Sequence, residues 1–324
     1  MAAAPRPRFR SARSRQVASA VLLSVLAVVT LAAVGLALSV NRVVPEAGAT
    51  PGAVAPPTES LEPAPSAEPS AEPTAPSPAP AGVGASRVLT AIDASSAIRA
   101  TASTCPEPTT VEVTTDGGAT WAPIAAATVS AAQWVGWDGE AFVSVLGLAA
   151  EGCGPVYEQS WTSGAEWESA PGELAASWYV DPANPATLLT PAGELSAPCG
   201  AVEQLAAVDA DSAALLCTDD TVHATIDGGA TWLAAAGPLI GAAAISAAAD
   251  GYHVVLVDQG GCVGAQLATV TLAAGVAQVG VAGGCLDAAV PAGAVAVGIG
   301  DDGSMWVWAG DRVGISTDGG SSWL

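Results

Sequence analysis

Thr114-Thr-Asp-Gly-Gly-Ala-Thr-Trp121 decides the fold, because it returns as Thr225-Ile-Asp-Gly-Gly-Ala-Thr-Trp232 and again as Ser316-Thr-Asp-Gly-Gly-Ser-Ser-Trp323. All three follow one pattern: hydroxyl, any residue, Asp, Gly, Gly, any residue, hydroxyl, Trp. Asp-Gly between alternating residues is a strong hairpin signal, since tight hairpin turns need positive φ and glycine adopts it without a Cβ clash. The carboxylate accepts backbone N–H bonds inside its own turn, and Ser or Thr adds weaker bonds of the same kind. The Trp then covers the hairpin with a large apolar ring. Thr114, Asp116, Gly118 and Trp121 therefore have one structural job, repeated by Thr225, Asp227, Gly229 and Trp232 and by Ser316, Asp318, Gly320 and Trp323. Each turn reads as a self-contained clip between two strands. Identical sites repeated along a chain suit a repeated fold better than one active centre, so the Asp residues are read as structural and not catalytic.

In these octapeptides the chain resembles the Asp-box (BNR) repeat of sialidase-like and related β-propellers. It is similar in the same way to the photosystem II assembly-factor propellers, which carry degenerate boxes. The resemblance implies an all-β propeller of four-stranded blades with its boxes away from the active site, and it does not transfer the chemistry.

The rest of residues 86–324 supports that fold. Short apolar or alternating runs are cut by Asp-Gly, Gly-Gly and Pro, with no helical periodicity of useful length. Turns at Asp93, Asp138, Asp181, Asp211, Asp250 and Asp302 each precede a strand-like run and read as links between a first and a second strand. Their spacings of 45, 43, 30, 39 and 52 residues lie near the roughly 40–50 of a propeller blade. Ser160-Trp-Thr-Ser-Gly-Ala-Glu-Trp167 reads as a box that has lost its Asp, and Thr271-Leu-Ala-Ala-Gly275 as another with Gln278 in place of Trp. A compressed blade is expected around Thr190-Pro-Ala-Gly193. The count is about six blades, the weak blade leaving five or seven as alternatives. Ser86–Ile92 either helps to complete the last blade or forms the first inner strand of blade 1.

Ahead of this domain stand an Arg-rich tail (1–16), a span (17–40) and a Pro/Ala/Glu-rich linker (41–85). Val17–Val40 has 24 residues whose polar members are Ser19, Ser24, Thr30 and Ser39, long enough as a helix to cross a hydrocarbon core of about 30 Å. The preceding arginines place the N-terminus in the cytoplasm and the C-terminal domain outside, with the segment an uncleaved signal anchor. A cleaved signal peptide is the competing reading, with Ala47-Gly-Ala49 as its site. The linker cannot bury a core and reads as a disordered, extended spacer.

There is no Lys, and from Ser86 onward three Arg face 26 acidic residues, a net charge of −23. Such a field repels phosphate backbones and argues against nucleic-acid binding. The Ala-rich, Lys-free composition looks like that of a high-GC bacterium such as an actinobacterium. Six cysteines, Cys105, Cys153, Cys199, Cys217, Cys262 and Cys285, all fall in the exported domain. An even count beyond a membrane anchor points to three disulfides, and six cysteines allow fifteen pairings. Cys105–Cys153, Cys199–Cys217 and Cys262–Cys285 are the expected ones. A metal site is the alternative, but there is no Cys-x-x-Cys and the histidines are His223 and His253.

Boxes and first-to-second-strand turns should share one face. Most cysteines should lie on the other, with Glu107, Glu151, Asp219, Asp220, Asp258, Asp287 and Asp311. A carboxylate-lined mouth there has the chemistry to hold Ca²⁺ weakly, or a cationic peptide; solvated loop acids are the plain alternative. No catalytic residue, cofactor site or metal site is assigned. The expected function is a membrane-tethered extracytoplasmic propeller that binds a protein, a glycan or another cell-envelope component. The alternative is a glycoside hydrolase of sialidase type. Members of that family use three Arg, an Arg-Ile-Pro motif and a Tyr nucleophile; this domain has Arg87, Arg99 and Arg312, no such motif, and no basic partners visible for Tyr157, Tyr179 or Tyr252.

Overall fold

The computed structural model describes residues 87–125, 128–273 and 276–324, all within a compact unit that runs from Thr74 to Leu324. The expected Arg-rich tail (1–16), membrane span (17–40) and linker (41–85) lie outside the described residues. Among those described, no helix is long and apolar enough to cross a membrane.

The described chain forms six antiparallel sheets in sequence, the blades of a β-propeller. Blade 1 is β1 (Arg87–Ala91), β2 (Ala97–Thr101), β3 (Thr110–Thr114) and β4 (Ala122–Ile124). Blade 2 is β5 (Val129–Trp137), β6 (Val143–Ala149), β7 (Pro155–Ser160) and β8 (Glu168–Ser169). A short helix, α1 (Pro171–Ala176), leads into blade 3: β9 (Tyr179–Val180), β10 (Thr187–Thr190) and β11 (Gly193–Ser196). Blade 4 is β12 (Val202–Ala207), β13 (Ala213–Cys217), β14 (Val222–Thr225) and β15 (Leu233–Ala234). Blade 5 is β16 (Ala242–Ala248), β17 (Gly251–Val257), β18 (Gly264–Ala273) and β19 (Val276–Val281), with β20 (Leu286–Asp287) also on β18. Blade 6 is β21 (Val295–Ile299), β22 (Met305–Ala309) and β23 (Arg312–Ser316).

Of the two readings of residues 86–92, the inner-strand one holds. Arg87–Ala91 pairs with β2, in full register from Arg87↔Thr101 to Ala91↔Ala97. Leu324 takes the outer position of blade 6 by exchanging two backbone bonds with Ile315, at 2.9 and 3.4 Å. Blades 6 and 1 share no strand, so side chains close the ring. Arg87 donates to the carbonyls of Ala294 and Gly310 and lies 4.1 Å over the Trp308 ring. Arg99 pairs with Glu112 and sits against both Trp121 and Trp308. Trp306, fully buried, donates its indole N–H to the Asp93 carbonyl at 2.9 Å.

The three Asp-Gly-Gly turns are built alike. In the first, Asp116 Oδ1 accepts from the Thr114 hydroxyl (2.8 Å) and the Thr120 N–H (2.9 Å), and Oδ2 accepts from the Thr120 hydroxyl (2.6 Å). Thr114 Oγ1 in turn accepts the Gly118 N–H. Asp227 repeats the pattern with Thr225 and Thr231, and Asp318 with Ser316 and Ser322. These bonds favour the ionised carboxylate and hold Asp116 and Asp227 below the ordinary range and Asp318 at about 2. In Ser160–Trp167 the lost Asp is replaced by Thr162, whose single hydroxyl accepts the Glu166 N–H at 2.9 Å. The bonds of a second carboxylate oxygen have no counterpart there.

The turns are more than self-contained clips. A Cβ at Gly229 would lie 2.5 Å from Leu195 and 3.4 Å from Trp178, both in the preceding blade region, and one at Gly118 would lie 3.4 Å from Trp306 of blade 6. The second glycine of the turn therefore lets each hairpin seat on its neighbour, which is a packing demand added to its positive φ. The segment around Thr271 differs from the expected decayed box. Its strands pair straight through Thr271↔Gln278 to Ala273↔Val276, so a plain hairpin ladder stands where the box would be.

First-to-second-strand turns bond to the box turns of their own blades: Gly117 N–H to the Ser95 carbonyl, Ser163 to Ala141 and Gly228 to Asp211. All of these turns share one face. The disulfides Cys105–Cys153, Cys199–Cys217 and Cys262–Cys285 are the pairings expected from loop position, and they lie toward the other face. The first ties blade 1 to blade 2. Apolar clusters fill the spaces between neighbouring blades, as Val88, Ile98, Val135 and Val145 do between blades 1 and 2. Between blades 2 and 3 the buried cluster consists of Leu146, Tyr157 and Ala170.

Candidate functional site

Blade 3 lacks its innermost strand, and three observations identify the missing one. First, Trp178, just ahead of β9, matches Trp306 of the second strand of blade 6. Trp306 bonds the Asp93 carbonyl and lies edge-on to Trp121 at 6.4 Å; Trp178 bonds the Asp209 carbonyl at 3.0 Å and lies edge-on to Trp232 at 6.3 Å. Second, Val202 N–H, at the start of β12, reaches the Pro185 carbonyl, so the 181–186 turn lies on the disulfide-bearing face. Third, Thr190 is buried like Thr114, Ser160, Thr225 and Ser316 and accepts the Ala192 N–H, as a box hydroxyl does. β9, β10 and β11 are thus strands two, three and four. The reading of Asp181-Pro-Ala-Asn184 as a first-to-second-strand turn is corrected: it joins the second strand to the third. In chain order α1 stands where the other blades have their inner strand.

The vacancy enlarges the central channel into a cavity of about 420 Å³. The inner strands of blades 1, 2, 4, 5 and 6 line it, together with 176–180 of blade 3 and Leu146 and Tyr157 of blade 2. Gln133 of β5 fills part of the gap in bonding, since its side-chain amide donates to the Val180 carbonyl and accepts the Val180 N–H, both at 2.9 Å. A side chain here does the work of an absent strand. Thr90 bonds the Val135 carbonyl at 2.6 Å and Gln204 accepts the Ile245 N–H at 2.7 Å, so these polar residues stitch blades 1 to 2 and 4 to 5.

Two β-bulges flank the vacancy, and each places one residue, Trp134 or Glu203, in the cavity wall. In β5 the register shifts between Ser130 and Trp134, with Ala131 at φ 45°. Trp134 there is 42 % exposed and stacks on Tyr157, ring centroids 6.0 Å apart. Its indole lies over Gly136, where a Cβ would fall 2.3 Å from the ring, so this pose requires glycine. In β12 the register shifts between Val202 and Gln204, and Glu203 is the extra residue. Its carboxyl accepts no hydrogen bond from the described residues, and burial, then the nearby Asp220, push its pKa up. Burial likewise raises the phenols of Tyr157 and Tyr179, which share the cavity wall. Bulges of this kind recur beside binding sites.

The residues singled out from the sequence lie elsewhere. The Asp of the three boxes are surface groups whose oxygens are engaged in their own turns. Glu107, Glu151, Asp219, Asp220, Asp258, Asp287 and Asp311 fall in loops or strand ends toward the disulfide face. Asp219 accepts from Thr221 and Asp258 from the Gly264 N–H, each within its own loop. Among the described residues no three His, Cys, Asp or Glu side chains come together as a metal site. Arg87 and Arg99 are built into the seam between blades 6 and 1, while Arg312 bonds the Asp287 carbonyl. No arginine or histidine is among the residues that line the cavity. Sequence reasoning missed Trp134, Gln133 and Glu203; the one local signal for Trp134 was an unpaired aromatic in a run of small residues, Ala131-Ala-Gln-Trp-Val-Gly136.

No family model and no curated protein matches the chain. Solved structures do share its architecture. A YCF48 protein bound to D1 peptide is 16 % identical with a TM-score of 0.29, the match covering 75 % of this chain and 67 % of that one. A GH74 xyloglucanase from Xanthomonas campestris is 16 % identical with a TM-score of 0.31; the match covers 75 % of this chain and 38 % of the xyloglucanase. A functionally unknown protein from Desulfotomaculum acetoxidans is 10 % identical with a TM-score of 0.39, covering 74 % of this chain and 84 % of that one. At these identities the likeness concerns the β-propeller fold alone.

Proposed function

We propose that the chain is a membrane-tethered, extracytoplasmic binding module that takes its ligand into the cavity left by the missing strand of blade 3. The observation that carries the reading is the pair of bulges that place Trp134 and Glu203 in the wall of one cavity on either side of the vacancy. A closed propeller has no structural need for a half-exposed Trp on its inner strand, whereas concave, aromatic-lined cavities of roughly 300–1,000 Å³ suit small ligands or side chains. The tail, span and linker at 1–85 supply the tether and spacer. Three disulfides fit an oxidising compartment beyond the membrane. The three repeated turns act as Asp boxes that hold the scaffold. A sialidase-type hydrolysis would need arginines in the cavity and a second free carboxylate. Asp209, the other acid lining it, uses its carboxylate for the N–H groups of Asp211 and Ser212.

The test uses the full-length protein in detergent micelles, with tryptophan emission and calorimetry against a panel of oligosaccharides, short peptides and small amines. The expected result is a ligand that changes the emission and whose binding is lost in both Trp134→Ala and Gly136→Ala. A ligand that binds both variants as it binds the parent would move the site out of the cavity and onto the loops.

A further inference from the structure

The polar groups of the cavity narrow the chemistry of its ligand. Thr90, both ends of the Gln133 amide and the Gln204 carbonyl oxygen are used to stitch blades together. What remains is the Glu203 carboxyl, which has no hydrogen-bond partner among the described residues, in the same cavity as the aromatic residues Trp134, Tyr157, Trp178 and Tyr179. This set offers a carboxylate and aromatic faces, with the Trp134 indole N–H and the Tyr179 hydroxyl as donors. No cationic residue lines it, and the domain carries three Arg against 26 acids. An anion would enter against that field. A cation is attracted by the aromatic faces and by the carboxylate at once.

Resting on the binding-module reading above, we infer that the cavity is a cation site: it takes an alkylammonium group, free as a small amine or carried on a basic side chain, against Trp134 and Tyr157 with Glu203 as its counter-ion. The bulge at Glu203 then has a purpose that a regular strand would not serve, since it puts a carboxylate residue in a wall formed on this strand by Gln204, Leu205, Ala206 and Ala207.

The experiment titrates the full-length protein at neutral pH with choline and with its neutral isostere 3,3-dimethyl-1-butanol. N-acetyl-lysine methylamide and tetralysine are the peptide-borne arms. Choline or a lysine probe should bind at least about tenfold more tightly than the isostere, as expected for a charged contact in a half-buried site. Glu203→Gln should remove that advantage while leaving the isostere and the melting temperature unchanged, and Trp134→Leu should weaken all probes. Stronger binding of choline than of the lysine probes identifies a free amine as the source, and the reverse a basic peptide. Equal binding of choline and isostere, or full choline affinity in Glu203→Gln, overturns the cation chemistry and leaves the cavity as a neutral site. Binding of neither, with an oligosaccharide from the wider panel changing Trp134 emission, does the same. Failure of every probe to act through Trp134 overturns the cavity reading itself.

Discussion

At the seam between blades 6 and 1, Trp306 is fully buried, bonded to Asp93 and edge-on to Trp121. At the seam between blades 2 and 3, Trp134 keeps 42 % of its surface exposed and touches Tyr157 over a void. The first seam joins two blades that both have their inner strand, so aromatic rings and the stems of Arg87 and Arg99 can fill it. The second joins a complete blade to one that lacks that strand, and one amide, Gln133, satisfies part of the exposed edge. Both are tryptophans in an inner or adjoining strand, yet one holds the ring shut and the other keeps much of its face exposed. Residue type alone does not separate the roles; the presence of a neighbouring strand does.

Truncation should separate the two seams most sharply. Trp306→Ala is expected to lower stability by about 4 kcal/mol, because it opens a cavity and orphans the Asp93 carbonyl, while Trp134→Ala should cost less than about 1 kcal/mol. Chemical unfolding of both variants checks this, and similar losses would show that the blade 2–3 seam is packed after all. The next effect concerns the link between the seams. Cys105 and Cys153 close 48 residues and tie blade 1 to blade 2; serine at both positions should cost about 4 kcal/mol by loop-closure entropy. If the loss is small, the ring holds its geometry without that staple.

A gain is expected from repairing the decayed box of blade 2. Thr162→Asp with Glu166→Thr restores both acceptor oxygens and the hydroxyl that meets the second one, and should add about 1 kcal/mol. Thr162→Asp alone should gain less, because Glu166 would face the new carboxylate. The smallest effect is acid sensitivity. Asp116, Asp227 and Asp318 have folded pKa values below the ordinary 3.8, so their contribution is complete above that value and is lost as pH falls through the lowered one, about 2 for Asp318. Measured against its intrinsic exchange rate, the Ser322 amide, bonded to Asp318, should therefore lose protection as pH falls toward about 2, while the Glu166 amide, bonded to a hydroxyl, should keep it.

The scaffold was legible because its signals are local and repeated. Asp116, Asp227 and Asp318 sit in octapeptides whose turn chemistry is written within eight residues, and the Asp-rich turns repeat at a blade's length. Blade 3 shows where local reading stops. Asp181-Pro-Ala-Asn184 has the composition of the other turns, so a missing strand could not be told from a short one until Trp178 was seen to occupy the place of Trp306. The cavity was invisible for the same reason. Nothing in the sequence around Gln133 announces a side chain standing in for a strand, and a bulge at Glu203 leaves no mark beyond an acid among apolar neighbours. The seating of Gly118 and Gly229 on neighbouring blades was also hidden, because the glycines were already explained by φ.

The three Asp-Gly-Gly turns and the three cystines lie on opposite faces, so a reductant acts on one rim, while protonation of Asp116, Asp227 and Asp318 loosens the other. The inner strands connect the two rims. A disturbance applied at either one would therefore reach the cavity from its own end, and Trp134 emission would report which end had given way.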